Sequence, residues 1–145
     1  MRVVLDTNVL VSGLISLGAA PGRIVDLVRS AALTLVVDDR ILSEYADVLR
    51  RSYLRRYFTD TEARQVIEFL QHRSHLTVCR VIVTDLPDPA DIPFLEAALS
   101  EDVPLVTGNK KHFPSAKRRG ALVLSPREFL EKYSRETRSQ DRGHS

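Results

Sequence analysis

Residues 1–15 read MRVVLDTNVLVSGLI. Val3, Val4 and Leu5 form a short apolar run of the kind a buried parallel strand uses. Asp6 ends the run, and Thr7 and Asn8 follow. Apolar residues return at Val9, Leu10, Val11, Leu14 and Ile15, with a spacing a helix can use. An acid therefore stands where a strand ends and a helix begins. In an open parallel sheet that is the edge where ligands bind. Aspartate, threonine and asparagine also serve as helix caps, and on this stretch alone both readings stay open.

The rest of the chain alternates strand-like and helix-like segments. Leu17–Gly22 reads as a turn, residues 23–30 as a short helix, and residues 33–37 as a second strand. Asp38 and Asp39 offer caps for a helix over residues 40–51, whose apolar stripe is Ile41, Tyr45, Val48 and Leu49. Glu44 borders that stripe, either as a solvated charge or as a group facing a polar pocket. Residues 50–58, RRSYLRRYF, interleave four arginines with three aromatics. Such a pattern suits phosphate contact and base stacking, with Arg50, Arg51 and Arg55 as candidates; it equally suits a solvated turn with aromatic plugs.

Thr59-Asp60-Thr61-Glu62 is a capping box that opens a helix to about residue 73. Residues 76–83 read as a strand broken near Arg80. Asp88 before Pro89 predicts an N-cap and a proline in the first turn of a helix reaching about Leu99. On that helix Asp91 falls among the apolar positions Phe94, Leu95 and Ala98. An unpaired carboxylate in a core costs several kcal/mol, so Asp91 is expected to face a polar pocket at the helix start. Residues 104–107 form a further strand that ends in Thr107-Gly108-Asn109. Lys110, Lys111, His112, Lys117, Arg118 and Arg119 follow as the densest basic cluster, and Lys110 and Lys111 are candidate phosphate contacts. Residues 122–124 are the last strand, and Ser125–Glu128 is a capping box for a helix to about Tyr133.

This alternation predicts an α/β fold, a three-layer α/β/α sandwich around a central, mostly parallel sheet. The 145 residues suit a single domain over 1–133, with 134–145 a polar, flexible tail. A hydrophobic share of 43% excludes a disordered chain, and a net charge of +2 permits a polyanionic partner without requiring one. Cys79 is the only cysteine, which rules out an intrachain disulfide; it reads as a small buried hydrophobe in a reducing compartment. Asp6 and Asn8 interrupt the first apolar stretch, and no run approaches the ~20 residues that cross a membrane, so the expected location is the cytoplasm.

In such a sheet the strand ends share one edge. Asp6, Asn109 and the helix starts carrying Glu44 and Asp91 all belong there. Three carboxylates brought together repel unless a cation sits among them. Oxygen donors without a Cys or His cluster favour Mg²⁺ or Mn²⁺ over zinc. A hard dication ringed by basic side chains suits phosphodiester hydrolysis.

Four segments, DTNVL (6–10), LSEYADVL (42–49), DPADIPFLEAAL (88–99) and LVTGNKKHFP (105–114), resemble the PIN domain. Within it they are similar to the VapC-like toxins of bacterial and archaeal toxin–antitoxin pairs. The resemblance covers the chain to about Tyr133. It implies a metal-dependent ribonuclease with Asp6 and Asp91 as metal ligands and Glu44 as a third acid that binds metal or orients water. Asn8 and Thr107 fall on positions that support such a site, beside the capping Asp88. Many members carry an aspartate where this chain has Asn109, an amide that still offers an oxygen. The resemblance further implies an RNA substrate, a homodimer and an antitoxin partner. Two other readings stay open. One is a phosphatase using Asp6 as nucleophile, against which Asn8 counts. The other is a degenerate, catalytically weak PIN domain that binds RNA or protein.

Overall fold

The computed structural model describes the backbone of residues 1–143 and the side chains of residues 1–140. Five parallel strands form one sheet in the order β3-β2-β1-β4-β5. They are β1 (Arg2–Leu5), β2 (Thr34–Val37), β3 (His75–Leu76), β4 (Leu105–Val106) and β5 (Val123–Leu124). The helices are α1 (Thr7–Ile15), α2 (Ala20–Arg29), α3 (Asp39–Leu49), α4 (Asp60–Arg73), α5 (Ile92–Glu101) and α6 (Pro126–Gly143).

The central strand β1 is apolar throughout its buried part because both its faces are covered: Val3, Val4 and Leu5 are wholly inaccessible. The chain runs outward from β1 through β2 to β3, and α5 returns it to β4 on the other side of β1. Helix α5 packs on β1, β2 and β4, α2 packs on α1 and α6, and α3 touches α1, α4 and α5. The α/β sandwich expected from the alternation is the observed fold.

Several local expectations change. Helix α2 starts at Ala20, inside the expected turn, because Pro21 sits in its first turn, where a missing N–H costs nothing. Residues 76–83 are not a strand beyond Leu76. Thr77 N–H still donates to Val37 O at 2.8 Å, but the chain then crosses to α5, where Arg80 N–H meets Ser100 Oγ and Val83 N–H meets Glu96 Oε2. The α5 region opens with a 3₁₀ turn, Pro89–Asp91, capped by Asp88 accepting from Ala90 N–H. Cys79 is half-buried rather than buried, its thiol 3.5 Å from Asp38 Oδ2. Helix α6 does not stop at Tyr133. No Pro or Gly interrupts it before Gly143, and the Lys132–Glu136 pair at 2.6 Å braces its middle. The expected flexible tail is therefore helical over Ser134–Gly143, and residues 144–145 lie outside the described residues.

Helices α1 and α2 cross closely at Gly13 and Gly22. A Cβ on Gly22 would overlap the carbonyls of Ser16 and Leu17, which are backbone and cannot swing aside. Gly22→Ala is expected to cost about 1–3 kcal/mol through overpacking, read as a lower urea midpoint at unchanged slope.

Candidate active site

Strands β1 and β4 pair Val4 with Leu105 and Leu5 with Val106, so both end at the same level. The next residue on each is polar, Asp6 after β1 and Thr107 after β4. Thr107 is fully buried, and its hydroxyl donates to Asp6 Oδ2 at 2.7 Å. Asp6 Oδ1 accepts from the N–H groups of Asn8 at 2.7 Å and Val9 at 3.4 Å, so Asp6 also caps α1. The cap and the edge acid are one residue, and both of its oxygens are held.

Helix α3 brings the second acid. Asp38 caps it, accepting from Ile41 N–H at 2.9 Å. Tyr45 is buried against the core, and its hydroxyl donates to the carbonyl of Leu5 at the end of β1. Glu44 is turned about 100° from Tyr45 around the helix, and its Oε2 accepts from the Thr7 hydroxyl. The Tyr45 hydroxyl is pushed well above its ordinary pKa, first by burial, then by the charges of Asp6 and Glu44.

Asp91 closes the 3₁₀ turn ahead of α5, with its side chain 15% exposed. His112 Nδ1 lies 3.1 Å from Asp91 Oδ2 without hydrogen-bond geometry, which leaves that buried oxygen without a hydrogen-bond partner. The Asp91 carboxyl is raised to about 6. Burial is the main cause, opposed by His112 and reinforced by Asp88, Asp6 and Glu44.

These groups share one pocket of about 430 Å³. Asp6, Asn8, Glu44, Asp88, Asp91 and Asn109 line it, as do Arg51, Tyr53 and His112. Among the described residues no three acid, His or Cys side chains are gathered closely enough to grip a metal ion as they stand. Each carboxylate is turned to a donor of the chain instead: Asp6 to Thr107, Glu44 to Thr7, Asp91 towards His112. The donor chemistry nonetheless fits a hard dication. Four carboxylates line one concavity, and an orphaned Asp91 oxygen among them raises the affinity for a positive charge.

Other expected site residues are placed differently. Asn109 lines the pocket, but its side-chain oxygen accepts from Lys111 N–H at 3.2 Å, capping a short turn. Lys110 reaches Glu128 Oε1 at 2.8 Å, and Lys111 is exposed outside the pocket. Arg50 is exposed and does not line the pocket, whereas Arg51 does, with Asp47 3.6 Å away. Arg55 does not line the pocket. Its guanidinium donates to the Leu49 carbonyl, lies over the Phe58 ring at 5.2 Å and meets Asp60 at 3.1 Å, finishing the end of α3. Thr7 had no site role in the sequence reading, and Tyr53 and His112 stood there only as members of the arginine–aromatic stretch and the basic cluster. Thr7 could have been found as the hydroxyl directly after the edge acid, and His112 as a polar residue just past the fourth strand.

The PIN domain family model matches residues 2–111, a span that holds every acid of the pocket. The chain belongs to the PIN-domain family. An uncharacterized protein of Methanocaldococcus jannaschii is 25% identical over 151 aligned residues, covering 93% of each chain. Two solved structures share the fold at 16% identity. VapBC2 from Rickettsia felis, bound to a DNA fragment from its promoter, has a TM-score of 0.56, with 86% of this chain and 98% of that chain covered. VapBC-1 from nontypeable Haemophilus influenzae has a TM-score of 0.58, with 88% and 99% covered. No single helix of the described part of this PIN domain is long and apolar enough to cross a membrane.

The raised Asp91 carboxyl gives a signed expectation. Folding favours its protonated form, so stability is complete below the ordinary carboxylate range and falls as pH rises through about 6. Asp91→Asn removes that penalty. In EDTA its melting temperature should exceed that of the wild type by about 2–4 °C at pH 7–8, and the gap should close between pH 6 and 4. A variant less stable than the wild type at pH 8 would show Asp91 to be structural.

Proposed function

We propose that this PIN domain is a metal-dependent endoribonuclease hydrolysing RNA phosphodiester bonds, and that it is the toxin of a toxin–antitoxin pair. One observation carries the reading. Asp6, Glu44 and Asp91, far apart in sequence, line a single pocket at the carboxyl edge of the sheet, where Asp91 keeps a buried oxygen without a hydrogen bond. A module that only binds polyanions gains nothing from acids in its pocket, whereas a hydrolase that recruits a cation needs them.

Asp6, Asp91 and Glu44 would hold Mg²⁺ or Mn²⁺. Such an ion supplies Lewis acidity and a bound water of lowered pKa when present. The chain's own groups keep the ligands in place. Thr107 and the N–H groups of Asn8 and Val9 fix Asp6, and Thr7 fixes Glu44. His112 lies against Asp91 and offsets its charge when protonated. Arg51 and the exposed Tyr53 suit a phosphate and a stacked base beside the pocket. Arg50, Lys110 and Lys111 would contact RNA farther out.

The solved neighbours named VapBC support an antitoxin protein as the partner. The acidic pocket would accept a basic side chain from it. A homodimer acting in the cytoplasm completes the proposal. The second reading, an RNA- or protein-binding module with little catalysis, is favoured by Asn109, whose oxygen is spent on Lys111 N–H.

Cleavage of a labelled single-stranded RNA separates the two. The wild type should cut with Mn²⁺ or Mg²⁺, stop in EDTA and recover when metal is returned. Asp6→Asn should lower the rate at least about 100-fold, and Thr107→Val about 10–100-fold, because it removes the bond that orients Asp6. RNA binding with no metal-dependent cutting would favour the binding module.

A further inference from the structure

A larger groove, about 850 Å³, runs between the start of α2 and the length of α6 and shares no lining residue with the acidic pocket. Its α6 wall is a stripe at helical spacing: Arg127, Glu131, Arg135 and Arg138. Arg23 faces it from α2. All four arginines are exposed, and among the described residues none makes an ion pair. Elsewhere the cations are mixed, with Arg2, Arg40, Arg51, Arg55 and three lysines each meeting an acid and others left single; what sets the groove apart is that four unpaired arginines line one concavity. Glu131 is the only acid lining the groove, so four positive charges face one negative charge there.

The groove starts beside the active-site loop. Arg127 neighbours Glu128, which holds Lys110, and α6 leaves β5, the strand paired with β4. Arg138 lies eleven helical steps beyond Arg127, about 16 Å along the helix axis. That length exceeds what one phosphate needs and suits successive phosphates of a strand, a few Å apart.

We propose that this groove docks the phosphate backbone of the RNA, holding the part of the strand that runs away from the scissile bond. The proposal rests on the ribonuclease reading of the acidic pocket. It makes α6 a positioning element that binds by charge and without sequence preference.

The test is fluorescence anisotropy of a labelled single-stranded RNA in EDTA, which reads binding without cleavage. Arg135→Gln/Arg138→Gln removes two phosphate contacts. The slope of log affinity against log salt should become shallower by about 1.4, and low-salt affinity should fall about tenfold. Arg64→Gln/Arg73→Gln on α4, with the same change in net charge, should leave both unchanged. Equal losses in the two double variants, an unchanged slope in the α6 variant, or a wild type that does not bind RNA would each overturn the proposal. So would a labelled oligoglutamate that binds as tightly as RNA and loses the same slope, which would assign the groove to an acidic protein segment. A wild type that binds RNA through the groove yet cuts none with Mg²⁺ or Mn²⁺ upholds the groove and removes the nuclease reading alone.

Discussion

The hydrogen bond from the Thr107 hydroxyl to Asp6 Oδ2 joins the ends of two neighbouring parallel strands. It forms in a fully buried spot, where a donor or acceptor left alone costs about 1–3 kcal/mol. Both partners are therefore fixed by the register of β1 against β4. The same strand end is tied a second time, by Tyr45 donating to the Leu5 carbonyl. With Tyr45 held there, its neighbour Glu44 has little choice of direction, since successive helix residues differ by about 100°. One strand end thus sets the place of Asp6 directly and of Glu44 through α3.

Holding acids together is an electrostatic load that a protein shaped for stability alone would shed. The chain meets part of that load with its own donors, a threonine for Asp6 and another for Glu44. Asp91 has only a histidine at ion-pair range, and its carboxyl accordingly rises to about 6. The least compensated acid is also the one on the least regular element, a single 3₁₀ turn ahead of α5. Strain of this kind concentrates where a ligand is expected to relieve it.

The fold was largely legible because its decisive signals are local. A three-residue apolar run ending in Asp6, the Thr59–Glu62 capping box and Pro89 after Asp88 each need no distant partner to act, and each acts in the structure. The pocket was legible for a related reason: parallel strands put their ends on one edge, so any acid just past a strand lands there. What failed depends on tertiary context. Residues 78–83 have the composition of a strand, but the N–H groups of Arg80 and Val83 find Ser100 and Glu96 on α5 instead of a neighbouring strand. Arg55 has the composition of a phosphate contact, but the open carbonyl at the end of α3 takes its guanidinium first. The helix beyond Tyr133 was missed because a polar sequence without Pro or Gly does not distinguish helix from tail.

A net charge of +2 hides two local concentrations of charge of opposite sign. Acids collect at the carboxyl edge of the sheet, and unpaired arginines collect along α6 and α2. Two regions of opposite sign on one molecule attract different ligands. The Lys110–Glu128 pair ties the segment after β4 to the first turn of α6. A polyanion approaching this surface is drawn to the arginines and repelled by the bare carboxylates. That repulsion disappears only when the acidic pocket holds positive charge. On the proposed reading, a cation in the acidic pocket would therefore be what admits a phosphate there, while the arginine groove attracts one with or without it.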